Sequence, residues 1–203
     1  MNSLSNCVGS LALVAVIAPL GAGGSAGAAM VYNGNIKAAI PSTGGGLYVD
    51  IDNGFTTSTT AMAGWDLNIV GLTGDLSLTG PEGALNLLRF PASSGPSAGR
   101  FAGGAGSVVD ASGSYGAGSV VFGTGAGEWR VSGTNYFGFR FTIDGATHYG
   151  WGMINIHPTG WARLDALAYE TDAGVATYVS NLPAPGAIAL LGLAGLAGRR
   201  RRD

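Results

Sequence analysis

The run from Asn135 to Ile156 leaves the chain the fewest options. Phe137, Phe139, Phe141 and Ile143 alternate with Tyr136, Gly138, Arg140 and Thr142; Asp144-Gly145 follows, and Thr147 to Ile156 returns. A period of two sends successive side chains to opposite faces, and Asp-Gly is a strong two-residue turn signal, so the stretch predicts an antiparallel hairpin. With a two-residue turn, Phe139 faces Gly150 and Phe137 faces Gly152, each ring covering bare backbone, while Tyr136, Arg140, Tyr149 and Trp151 share the opposite face. A three-residue turn would shift the register by one and break that grouping.

The rest of the body repeats the theme in shorter pieces. Leu47 to Ile51 is β-prone, Asn53-Gly54 predicts a two-residue turn, and Phe55 to Thr60 returns. Trp65 to Ile69, Leu85 to Phe90 and Trp161 to Tyr169 supply further strands, and Ala173 to Asn181 leads out of the body. Between Pro91 and Gly127 the apolar islands Ser107 to Val109 and Ser119 to Phe122 sit among Gly, Ser and Ala, which suits small strands joined by tight turns. Thirty-seven glycines in 203 residues argue against long helices. The predicted fold is all-β, a single antiparallel β-sandwich (jelly-roll-like) over 29–181, flanked by an N-terminal signal helix and a C-terminal apolar helix.

Those two ends differ from the body. Val8 to Leu20 is almost wholly apolar and thirteen residues long, suited to a signal h-region, and Ala26-Gly27-Ala28 gives a small-x-small cleavage site. Residues 1–28 are predicted to be a signal peptide cleaved between Ala28 and Ala29. At the other end Gly186 to Gly198 contains only Gly, Ala, Ile and Leu, and Arg199, Arg200, Arg201 and Arg202 follow. Four arginines in a row stop transfer and stay on the cytoplasmic side. At about 1.5 Å per residue the apolar run is nearer 20 Å than the roughly 30 Å of a bilayer core, so the tail fits a temporary stop better than a permanent anchor.

Charge and residue inventory exclude several classes of function. Residues 29–182 carry six Lys and Arg against eleven Asp and Glu, a net of −5, so nucleic acid is not an expected partner. The single cysteine, Cys7, precludes an internal disulfide. His148 and His157 lack transition-metal spacing, and Asp50-Ile51-Asp52-Asn53-Gly54 fails the calcium-loop register because Gly54 stands where an oxygen ligand is needed. Neither a metal site nor a cofactor is expected. Nucleophilic catalysis lacks a Gly-x-Ser-x-Gly elbow. Glycoside hydrolysis needs a carboxyl pair, and Glu82, Glu128 and Glu170 lie in different segments. The Tyr136, Arg140, Tyr149 and Trp151 face is a candidate for stacking against sugar rings, against the alternative that it packs in a core.

Leu182 to Asp203 resembles the PEP-CTERM sorting signal of Gram-negative bacteria: Pro183-Ala184-Pro185 as the proline motif, then the apolar run, then the arginines. Ala184 stands where that family has its glutamate. The resemblance implies recognition and processing by an exosortase, a membrane-embedded cysteine protease. A sortase is the near competitor, since Leu182-Pro183-Ala184-Pro185-Gly186 departs from Leu-Pro-x-Thr-Gly only at the scissile position. The body also looks like a domain often found ahead of such tails, through Gly64-Trp65-Asp66-Leu67-Asn68, Gly138-Phe139-Arg140-Phe141, His148-Tyr149-Gly150-Trp151 and Ala168-Tyr169-Glu170-Thr171. The expectation is therefore a non-enzymatic exported surface or matrix protein, in transit at the inner membrane. The alternatives are a lectin-like module for exopolysaccharide and, behind it, a glycoside hydrolase.

Overall fold

The computed structural model describes residues 29–179 apart from 73, 82–84, 93, 95, 99–100 and 102–106. The predicted signal and tail helices lie outside those residues. Among the described residues every regular element is a strand, every strand pairing is antiparallel, and no helix is long and apolar enough to cross a membrane.

In chain order the strands are β1 (Met30–Asn33), β2 (Ala38–Ile40), β3 (Leu47–Asp50), β4 (Thr56–Ser58), β5 (Leu67–Val70), β6 (Ser77–Thr79), β7 (Asn86–Phe90), β8 (Ser97–Ala98), β9 (Val108–Val109), β10 (Tyr115–Gly116), β11 (Gly118–Ser119), β12 (Gly133–Ile143), β13 (Ala146–Ile156), β14 (Ala162–Glu170) and β15 (Thr177–Tyr178). The larger sheet runs β1-β14-β13-β12-β7-β10, with β2 also on β14 and β8 on β7. The smaller runs β11-β6-β5-β3-β4, and β15-β9 is a separate two-stranded ribbon.

The β12–β13 hairpin forms the spine, and its register follows from its turn. Asp144 and Gly145 both have positive φ, 51° and 81°, as a two-residue primed turn requires. Phe137 then pairs with Gly152, Phe139 with Gly150, and Arg140 with Tyr149. The glycines are required by close approach: a Cβ on Gly150 would lie 2.4 Å from Cζ of Phe139, and one on Gly152 2.3 Å from Cζ of Phe137. Phe137, Phe139 and Phe141 face inward and share one apolar core with Val49, Leu67, Ile69 and Leu78 of the smaller sheet.

β14 keeps its apolar side chains inside by slipping once. Its pairing with β13 shifts between Met153 and Ile154, where Asp165 is the extra residue. Leu167 and Tyr169 face inward on one side of the bulge and Ala162 and Leu164 on the other. Strict alternation through Trp161 to Tyr169 would have turned one of these pairs outward.

The Asn53-Gly54 turn differs from its expectation. β3 and β4 pair as Asp50 with Thr56, so the connection is residues 51–55 rather than two. Burial decides it. Ile51 and Phe55 both turn into the core, Phe55 meeting the ring of Tyr169 edge-on at 5.8 Å, and a two-residue turn would have left one of them outside.

The outer face of β12, β13 and β14 carries a second, smaller core. Tyr149, Trp151, Ala166 and Ala168 pack there with Leu88, Phe101, Val109 and Val179, and β9 and β15 lie against β13. Thr177 Oγ1 contacts Met30 Sδ at 3.7 Å, so the first and last described strands meet beside this core.

Candidate functional site

The sorting residues Pro183, Ala184, Pro185 and Arg199 to Arg202 lie outside the described residues, as do Ala26 and Ala28 of the cleavage site. Ala29 is the first described residue, and its carbonyl accepts a hydrogen bond from the amide of Thr171 at 2.9 Å.

The four residues proposed for sugar stacking do share one face. Tyr149 is 5% exposed and Trp151 only 2%, both inside the second core, and Tyr136 packs against it with its ring 6.1 Å from that of Trp151. Arg140 lies over the ring of Tyr115, 4.6 Å from its centre, and that ring neighbours Tyr149 at 6.2 Å. In this arrangement the face is a packing surface, and no ring of Tyr149 or Trp151 is presented to solvent as a platform.

The side chains that converge most closely are three aspartates. Asp50, at the end of β3, Asp52, in the following connection, and Asp66, entering β5, bring carboxylate oxygens within 4.8 Å of one another. Pairing of β3 with β5 matches Val49 with Leu67, which sets Asp66 opposite Asp50. Each is held locally. Asp66 Oδ2 accepts from the amide of Ile51 at 2.7 Å, and Asp50 Oδ1 from the amide of Asn53 at 3.1 Å.

Their electrostatics follow from crowding. Burial, reinforced by Asp52 and Asp50, pushes the Asp66 carboxyl up from its ordinary 3.8 to about 6. Asp52 is raised as well, by burial and then by its hydrogen bond to Asp50 and that residue's charge. The phenol of Tyr169 is raised by burial and by Asp52 and Asp66. Chemically the three can share a proton or present the oxygen donors that a hard cation prefers. The grouping was hard to see in sequence because its third member sits sixteen positions from the first.

The histidines separate. His148 is buried, with Nδ1 2.9 Å from the backbone oxygen of Glu170. His157 stacks on Trp161, with ring centres 4.8 Å apart and planes 8° from parallel, and its Nδ1 is 2.8 Å from Thr159 Oγ1. Trp161 is 45% exposed. Of the glutamates, Glu82 lies outside the described residues. Glu128 is buried, with Oε2 accepting from the amide of Gly125 at 2.7 Å, and Glu170 Oε1 accepts from the amide of Thr171 at 3.0 Å. A cavity of about 350 Å³ beside β7 is lined by Arg89, Phe90, Pro91, Ala92, Pro96 and Ser114, none of them a carboxylate. The Arg89 guanidinium donates to the Pro96 carbonyl at its edge.

No family model, curated protein or solved structure matches the chain. The functional reading therefore rests on the residues themselves.

Proposed function

We propose that the chain is a non-enzymatic exported cell-surface or extracellular-matrix protein. Residues 1–28 direct export, 182–203 hold the precursor briefly in the inner membrane, and an exosortase-like protease then processes that tail. The observation that carries this is the order of the C-terminal features: proline motif, uncharged run too short for a comfortable span, then Arg199 to Arg202. In this reading the body is the part that remains once the tail has been processed. We read its two sheets as the layers of a jelly-roll-like sandwich, because both contribute to one core.

Intact-mass analysis of surface or secreted material from the native host tests the reading. The mature species is expected to begin at Ala29 and to lack the four arginines. Surface material that retains them would eliminate processing, and protein confined to the cytoplasm would eliminate export.

A second reading, lectin-like binding of exopolysaccharide, is favoured by one observation. Trp161 is exposed and its ring is fixed by the parallel stack with His157, which is how an aromatic side chain offers a flat face to a sugar. Titration of the protein with soluble polysaccharide from the same host, monitored by tryptophan fluorescence, tests it. Binding that survives Trp161→Ala would move the site elsewhere.

A further inference from the structure

The burial of Tyr149 and Trp151 is unlike that of the rings on the opposite side of the same hairpin. Phe137, Phe139 and Phe141 are covered by a five-stranded sheet, whereas Trp151 is covered partly by the two-stranded ribbon of β9 and β15. Val109 of that ribbon reaches Gly138, the residue paired with Trp151: a Cβ on Gly138 would lie 2.9 Å from Val109 Cγ2. Val179, one residue past β15, is buried in the same cluster.

Among the described residues a few bonds hold this cover down, one of them the contact of Thr177 Oγ1 with Met30 Sδ at 3.7 Å. The ladder pairs Thr177 with Val109 and Tyr178 with Val108, and Val179 N adds one bond to the Ser107 carbonyl at 2.8 Å. At its near end Gly174 N donates to the Thr147 carbonyl at 2.8 Å. Tyr178 points away and is 59% exposed. The hairpin beneath is an eleven-pair ladder. Short two-stranded ribbons are marginal alone, and segments with few buried apolar contacts open at a fraction of the global free energy.

The indole of Trp151 completes the picture. Its Nε1 is buried and has no hydrogen-bond partner, so the indole itself adds no polar tie between this layer and the sheet. Tyr32 and Tyr136 flank it, with ring centres at 5.8 and 6.1 Å.

We propose that the β9–β15 ribbon is a strap that opens independently of the two-sheet body and uncovers the Trp151 part of the outer face. The inference rests on the packing alone and is separate from the reading of the tail. Opening exposes the ring of Trp151 beside that of Tyr136, while Tyr149 keeps the neighbouring ring of Tyr115 and the Phe137–Phe139–Phe141 core stays closed.

Hydrogen exchange by NMR on the full chain tests this, because the two deeply buried indoles respond differently. Trp151 Nε1–H is protected by burial alone, whereas Trp129 Nε1–H donates to the Ala98 carbonyl at 2.6 Å in the main core. The Thr177 and Val179 amides and the Trp151 indole are expected to exchange at least about 100-fold faster than the Phe137 and Phe139 amides and the Trp129 indole. A disulfide from Val109→Cys with Gly138→Cys, in a Cys7→Ser background, ties the ribbon to the hairpin beneath, since a Cβ on Gly138 would lie 2.9 Å from Val109 Cγ2, and is expected to slow the Trp151 indole by a similar factor when oxidised and not when reduced. Thr177 and Val179 amides as slow as the hairpin, or a Trp151 indole indifferent to the crosslink, overturns the strap.

Discussion

Replacing Asp66 by Asn should make the protein more stable at neutral pH. The carboxyl is held near 6 in the folded state against an ordinary 3.8, so folding takes up a proton between those values. A raised carboxyl contributes its stability fully below the unfolded value and loses it as pH climbs through the folded one. Two units correspond to about 3 kcal/mol if converted in full, but Asp66 is only half-buried, and solvent screening brings the expected effect to about 1 kcal/mol. Asn keeps an oxygen for the Ile51 amide and removes the repulsion with Asp50 and Asp52. Urea unfolding at intervals from pH 4 to 8, in EDTA, should show the stability difference between variant and native protein growing by about 1 kcal/mol between pH 4 and 6.5 and then staying level. Taking the difference cancels titrations common to both proteins. A variant less stable than the native protein at pH 7, or a difference that does not change with pH, would refute the crowding argument.

Three other outcomes follow from the packing. Gly152→Ala should cost about 2–3 kcal/mol in urea unfolding, because its Cβ would fall 2.3 Å from Phe137 Cζ and 2.8 Å from Leu167 Cδ2. Asn135→Ala should cost about 2 kcal/mol by the same assay: the buried amide accepts from Arg130 N at 2.7 Å and donates to Arg130 O at 3.0 Å, and both backbone groups would lose those bonds. Trp161→Ala should change thermal stability by less than about 0.5 kcal/mol, since the ring is exposed and stacks only on His157 among described aromatic rings, and should abolish any polysaccharide response.

What the sequence made legible was local and periodic. The β12–β13 register could be read because a two-residue turn and a strict period of two admit one pairing, and the glycines opposite Phe137 and Phe139 agree with it. The β3–β4 connection misled because Asn-Gly reports a backbone preference, while the buried Phe55 packs on Tyr169, more than a hundred residues later. The Asp165 bulge left no mark in composition. Asp66 joins Asp50 only through strand pairing, and pairing partners are the information a single chain's pattern carries least. For Tyr149 and Trp151, alternation placed them together correctly but could not say what lay on top of them.

The meeting of the two ends has a mechanical consequence. Met30 touches Thr177, so a pull on the C-terminal tail enters the body at the same corner from which residue 29 begins. Under such a pull the long ladders of β12, β13 and β14 would lie off the line of tension, and the domain would hang as a pendant instead of serving as a link. The first connection to feel the load is the pair of rungs between β15 and β9, which would separate in succession as the teeth of a zipper do. A body loaded at that one corner would yield there first, without its core being asked to resist.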